Sequence, residues 1–123
     1  MTLGEAIARY NALEENSLTT AEKISLISHL DGRLHREILS RYENAGEFSG
    51  YGEDEDLTTV LLAPFPYDDV YRTYLLAAGA LYDGNTQRYN NFSTLTNSVI
   101  EEYAAFVHKN GTVKENKIRQ AGE

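Results

Sequence analysis

The residue types with the most chemistry in them stand together: His29, Asp31, His35 and Glu37 fall in one short stretch. Imidazole and carboxylate groups are common zinc ligands and common proton carriers in catalysis. Their spacing argues against both uses. At 3.6 residues per helical turn, His29 and His35 are six positions apart and point about 120° away from each other. They could share an ion only with help from another element. Asp31 and His35, four apart, do share a face, and a local hydrogen bond between them is the expected use of the pair. A metal-dependent enzyme built on these four residues therefore lacks its ligand geometry, and no metal or cofactor is expected.

Gly46, Gly50 and Gly52 have only a superficial likeness to a phosphate-gripping loop. Such a loop needs converging backbone N–H groups, usually a lysine, and a helix start behind them. Here Glu53, Asp54, Glu55 and Asp56 follow instead, and no lysine lies between Lys23 and Lys109. Repulsion disfavours a nucleotide. The acidic run also lacks the spaced ligands and central glycine of a calcium loop, so a solvated, flexible loop is expected. No serine has a nucleophile-elbow setting and no histidine lies in a motif that would activate one. No catalytic residue is assigned, and the chain reads as non-enzymatic.

Nine tyrosines with no tryptophan fall mostly in the second half of the chain. Tyr74, Tyr82 and Tyr103 are expected in the core with their hydroxyls at its rim. Excess aromatics on helix faces also suit a subunit interface, and the sequence does not divide the remaining tyrosines between core and contact.

The elements that must carry these groups are helices. Thr2 with Glu5 has capping-box spacing, followed by Leu3, Ile7, Tyr10 and Leu13, which predicts a helix over about 3–15. Thr19 with Glu22 repeats the box before Ile24, Ile27, Leu30, Leu34, Ile38 and Tyr42, predicting a second helix over about 20–43, roughly 36 Å long. Thr58 to Leu62 is β-prone but has too few neighbours to form a sheet alone, so pairing between subunits is one use for it. Pro66 is expected in the first turn of a third helix, where Asp68 and Asp69 suit the dipole. Val70, Tyr71, Tyr74, Leu75, Ala78, Leu81 and Tyr82 would line its inner face up to Asp83 and Gly84. Tyr89, Phe92, Leu95, Val99, Tyr103 and Phe106 then form the seam of a fourth helix ending near His108.

The expected fold is all-α, a small bundle of about four helices with a long acidic loop and a short β-prone segment between the second and third. Residues 1–109 make a single domain, within which 43–66 is a mobile acidic loop, and 110–123 is a flexible basic tail. A chain of 123 residues buries about 60–70% of its unfolded surface, enough for one core. Zero cysteines exclude a disulfide scaffold, a thiolate nucleophile and a cysteine-ligated metal, and suit a reducing cytoplasm. Neither a membrane span nor a signal peptide is expected, so the mature chain is read as the whole chain.

The net charge of −8 comes from 19 acids against 11 bases. Residues 1–42 sum to −1, 43–69 to −8, 70–108 to −1 and 109–123 to +2. The acidity is thus a property of one stretch that holds no base. It disfavours DNA binding by phosphate neutralisation while allowing a surface past which DNA slides.

Three stretches together resemble the head-tail connector (adaptor or head-completion) proteins of long-tailed phages and of prophages in Gram-positive bacteria. They are His29-Leu-Asp-Gly-Arg-Leu-His-Arg-Glu37, Leu62-Ala-Pro-Phe-Pro-Tyr-Asp-Asp-Val-Tyr-Arg-Thr-Tyr74 and Arg88-Tyr-Asn-Asn91. The likeness covers about residues 3–108. It implies a helical virion subunit that assembles as a homo-oligomeric ring, a dodecamer in the resembled family. The ring sits beneath the portal protein after DNA packaging and offers a docking surface to tail-side connector proteins. It implies localisation in the virion, and in the bacterial host cytoplasm during assembly, with DNA passing nearby without specific binding. Carried over, the channel-loop role falls on Gly50, Gly52, Glu53, Asp54, Glu55 and Asp56, and the portal-contact role on Lys114, Lys117 and Arg119. The rival is an acidic regulatory module that binds a host protein by mimicking DNA. A mimic should spread its acids over rigid faces rather than gather them in one loop.

Overall fold

Two reciprocal caps start the first half of the molecule. Thr2 Oγ1 accepts the Glu5 N–H at 3.1 Å while the Glu5 carboxylate accepts the Thr2 N–H at 2.9 Å, and Thr19 with Glu22 repeats the pattern at 3.0 and 2.8 Å. Each box satisfies two backbone donors that a helix start leaves without partners. In the computed structural model, which describes residues 1–42 and 45–111, these caps open helix α1 (Leu3–Leu13) and helix α2 (Thr20–Glu37). Helix α3 spans Asp69–Tyr82 and α4 spans Thr86–Asn110. The fold is an all-α bundle.

α2 stops short of the predicted end near 43. The Ile38 N–H still reaches the Leu34 carbonyl, but the chain then tightens into a 3₁₀ turn at Leu39–Arg41. Ser40 Oγ donates to the Arg36 carbonyl at 2.9 Å, a side-chain bond that competes with the helical ladder. Ile38 and Tyr42 remain buried. The apolar spacing therefore continues past the end of the helix.

α3 begins after Pro66 rather than around it. Pro64 to Tyr67 form a turn containing a cis Phe65–Pro66 bond, with the Tyr67 and Asp68 N–H groups on the Pro64 carbonyl. Val70, Tyr71, Thr73, Leu75, Leu76, Ala77, Gly79 and Ala80 of α3 are all buried. That set exceeds a single face because α1, α2 and α4 all pack on this helix. At the level of its last turn α3 turns Gly79 and Ala80 inward. Leu81 and Tyr82 consequently remain about 60% exposed, which corrects the expectation that Tyr82 lies in the core.

The seam of α4 is also rotated from the predicted one. Thr96 and Tyr103 are its buried residues, while Leu95 and Phe106 stay exposed. Thr96 replaces Leu95 at the interface because its Oγ1 donates to Thr73 Oγ1 of α3 at 2.9 Å. The common core gathers Leu3, Ile7 and Tyr10 of α1, Ile24, Ile27, Leu30 and Leu34 of α2, Val70, Tyr71 and Leu75 of α3, and Tyr103 of α4.

The β-prone segment pairs with the amino terminus of its own chain. Leu3 and Gly4 donate their N–H groups to Thr59 and Leu57 carbonyls at 2.9 Å, and Leu61 donates to Met1 at 3.0 Å. The pairing amounts to one antiparallel bridge, Thr2 to Val60. It also satisfies two of the unpartnered donors in the first turn of α1. Among the described residues, no helix is long and apolar enough to cross a membrane.

Candidate functional site

The first functional cluster centres on Asp31, which is fully buried although it lies on a helix. Its Oδ1 accepts the Tyr71 hydroxyl at 2.6 Å, and its Oδ2 accepts the Tyr51 hydroxyl at 2.6 Å and the Leu62 N–H at 3.1 Å. The Tyr71 oxygen accepts in turn from the Ala63 N–H at 2.9 Å. A buried carboxylate is tolerated when its lone pairs are taken up by donors. Burial pushes the Asp31 carboxyl above its ordinary range against the opposing pull of the three donors, and both tyrosine hydroxyls are pushed up by burial and by the carboxylate. Held this way, Asp31 and Tyr71 are closed off from solvent while Tyr51 reaches the edge of a cleft, and the cluster fastens α2, α3 and the intervening stretch together.

The fastening holds residues 45–63 along α2. Tyr51 donates its N–H to Ser28 Oγ at 2.9 Å as well as its hydroxyl to Asp31. His35 bonds the Gly46 carbonyl at 3.0 Å through Nε2 and stacks on Phe48, whose ring meets Tyr51 edge-on at 5.2 Å. The expected Asp31–His35 bond is therefore not formed, because each of the two groups is engaged elsewhere. Glu37 pairs with Arg33 at 3.2 Å on the surface, and His29 lines an open cleft. The four residues singled out from the sequence thus do not converge: Asp31 is in the core, His35 is engaged with Gly46 and Phe48, and His29 and Glu37 line the cleft, Glu37 with its carboxylate on Arg33. Among the described residues no group of three or more His, Asp or Glu side chains could hold a metal ion.

That cleft, of about 770 Å³, runs between α2 and residues 48–53. Ser25, Ser28, His29, Arg33 and Arg36 line one side and Phe48 to Glu53 the other, so Gly50, Gly52 and Glu53 form its lip. Gly50 has φ +95°, a conformation that favours glycine.

Beyond the lip the acids make a turn. The Glu55 N–H bonds the Gly52 carbonyl at 3.0 Å, Glu55 Oε1 accepts the Gly52 N–H at 3.2 Å, and Asp56 Oδ1 accepts both the N–H and the hydroxyl of Thr58, at 2.9 and 2.8 Å. The Thr58 bonds hold the Asp56 carboxyl below its usual range. Glu55 and Asp56 therefore shape the turn. Glu53 and Asp54 are exposed at its tip.

A second groove, of about 410 Å³, opens where α2, α3 and α4 meet. Leu26, Tyr74, Ala77, Ala78, Leu81 and Tyr89 supply its apolar lining, and Arg33 also lines it. The Tyr74 hydroxyl is raised by burial and partly lowered by Arg33.

The partners of Asp31 were not read from the sequence, yet a signal was present. Asp31 sits in the stripe Ile27, Leu30, Leu34 and Ile38, and an aspartate on a core stripe requires buried donors. The tail residues Lys114, Lys117 and Arg119 lie outside the described residues. Compared with known proteins, the chain matches no family model, no curated protein and no solved structure.

Proposed function

We propose that the chain is a non-enzymatic structural protein of a phage or prophage virion, a head-tail connector adaptor that docks on the portal and helps join head to tail after DNA packaging. The observation that supports this reading is the meeting of two of its three motif stretches at Asp31. Asp31, from the stretch 29–37, receives the Tyr71 hydroxyl and the Leu62 N–H from the stretch 62–74. The third stretch opens α4, where Arg88 pairs at 2.9 Å with Glu14, the residue that caps the end of α1. Residues that carry the likeness are thus those that join the helices, as expected of an architectural protein.

In this reading the chain forms a homo-oligomeric ring and takes no cofactor. Gly50, Gly52 and the acids from Glu53 to Asp56 face the DNA path, where negative charge keeps the duplex from adhering. Lys114, Lys117 and Arg119 contact the portal. The experiment is reconstitution: the full chain is mixed with portal rings of the same phage or prophage and examined by sedimentation and electron microscopy. Added density in a ring on the portal is the expected result. Failure to co-sediment with portal rings would overturn the reading.

A further inference from the structure

The most exposed large apolar side chain of the described residues is Phe65, at 85%, on the turn before α3. A phenylalanine held out by a hydrogen-bonded turn leaves its apolar area unburied in the monomer and free to be buried by a partner. The same chain carries a groove whose apolar side is lined by Tyr74, Ala77, Ala78 and Leu81 of α3 with Leu26 and Tyr89, and whose polar side is Ser93, Thr96 and Asn97 of α4. Alanines at its base leave room for a ring, and its volume of about 410 Å³ exceeds what one aromatic side chain fills.

The charges match as well. Phe65 is carried on a stretch, 43–69, that contains no base, and Asp68, three residues on, forms no ion pair among the described residues. Arg33 lines the groove, and its one ion pair among the described residues, with Glu37, is half exposed and exchangeable.

We infer that copies of this chain bind one another through these two patches, Phe65 of one copy entering the groove between α2, α3 and α4 of the next, with Asp68 beside Arg33. Ala78 stands nine residues, or about 13 Å, along α3 from Asp69, so the projecting ring and the groove lie toward opposite ends of that helix. Each contact leaves one free ring and one free groove, and the association propagates head to tail, as closure into a ring requires. The inference rests on the reading of the chain as a self-assembling subunit but not on its docking to a portal.

The test places a photo-reactive residue at the exposed position, Phe65→p-benzoylphenylalanine, in the full chain, mixed with an equal amount of ¹⁵N-labelled wild-type chain. Irradiation should give mixed-isotope adducts mapping to 74–81 or 89–97 of the second copy. Adding Asp68→Arg to the probe chain should lower the adduct yield about two- to fivefold, the range for an exposed ion pair, and Arg33→Asp in the acceptor should restore it. All three substituted positions are at least partly exposed, so each variant should keep the fold. Adducts confined to the probe chain, adducts mapping elsewhere on the second copy, or a yield indifferent to both charge reversals would overturn the contact. Light scattering on the wild-type chain reports self-association separately, so loss of this contact is distinguishable from loss of the ring.

Discussion

Asp31 shows how one side chain can organise a small bundle. Replacing it with alanine leaves the Tyr71 hydroxyl and the Leu62 N–H near the core without an acceptor, and should cost about 2–4 kcal/mol in urea unfolding. Its pH dependence has an unusual sign for an aspartate. Burial raises the folded-state pKa above the ordinary 3.8, so the folded chain holds this proton more tightly than the unfolded chain. The contribution of Asp31 to stability is therefore full below about pH 4 and declines as pH rises through the raised value. Asp69, lowered mainly by its Arg72 hydrogen bond, contributes in the opposite sense, above its unfolded value. Unfolding of wild type and Asp31→Asn at about pH 4 and about pH 7 should show the gap between them shrinking toward neutrality. A gap that widened would contradict the assignment. Gly79 makes a second point at this scale. A methyl group there would collide with the Tyr10 hydroxyl, which is fully buried, so Gly79→Ala should destabilise by about 1–3 kcal/mol. Gly52→Ala, with open space around it and no positive φ, should stay within about 0.5 kcal/mol in the same melting experiment.

At the scale of elements, the acidic stretch is the most informative. Its glycines and acids predict irregular structure, and the described residues 45–63 contain no helix. Composition did not reveal that Tyr51 ties the stretch to α2 through both its backbone and its hydroxyl. Tyr51→Phe removes one of those bonds and leaves the helices untouched. Amide exchange at Tyr51 and Glu55 should then quicken about five- to tenfold, as for loss of one hydrogen bond in a locally opening segment, while exchange within α3 stays unchanged. Equal acceleration in α3 would mean that the stretch opens only with the whole bundle. The rotated seam of α4 has a similar lesson. Leu95 is the more apolar residue, yet Thr96 is inside because Thr73 offers it a hydrogen bond across the interface.

At the scale of the molecule, the charge distribution is the property to test. Glu53→Gln, Asp54→Asn, Glu55→Gln and Asp56→Asn together would take the net charge from −8 to −4, four charges being removed. Glu53 and Asp54 are exposed, and the amide oxygens introduced in place of the Glu55 and Asp56 carboxylates can still accept the turn's hydrogen bonds. The bundle should therefore keep its melting temperature within a few degrees. In assembled particles the same variant should change DNA retention or ejection. Particles that retain and eject DNA as the wild type does would refute the channel-facing role.

Local signals settled a good part of this protein. The two capping boxes, the apolar periods of the helices and the confinement of the charge to residues 43–69 could all be read directly, because a cap or a helical period acts within a turn or two of the chain. The tertiary structure decided the rest. It alone joins Asp31 to Tyr71, forty positions away, buries Tyr10 and Tyr71 while exposing Tyr82, and sends Asp31 to the core and His35 to Gly46 while His29 and Glu37 stay at the cleft. A helical period names the face that turns inward but not the neighbour it meets. That choice depends on the packing of α3 against three other helices at once, which no local pattern encodes.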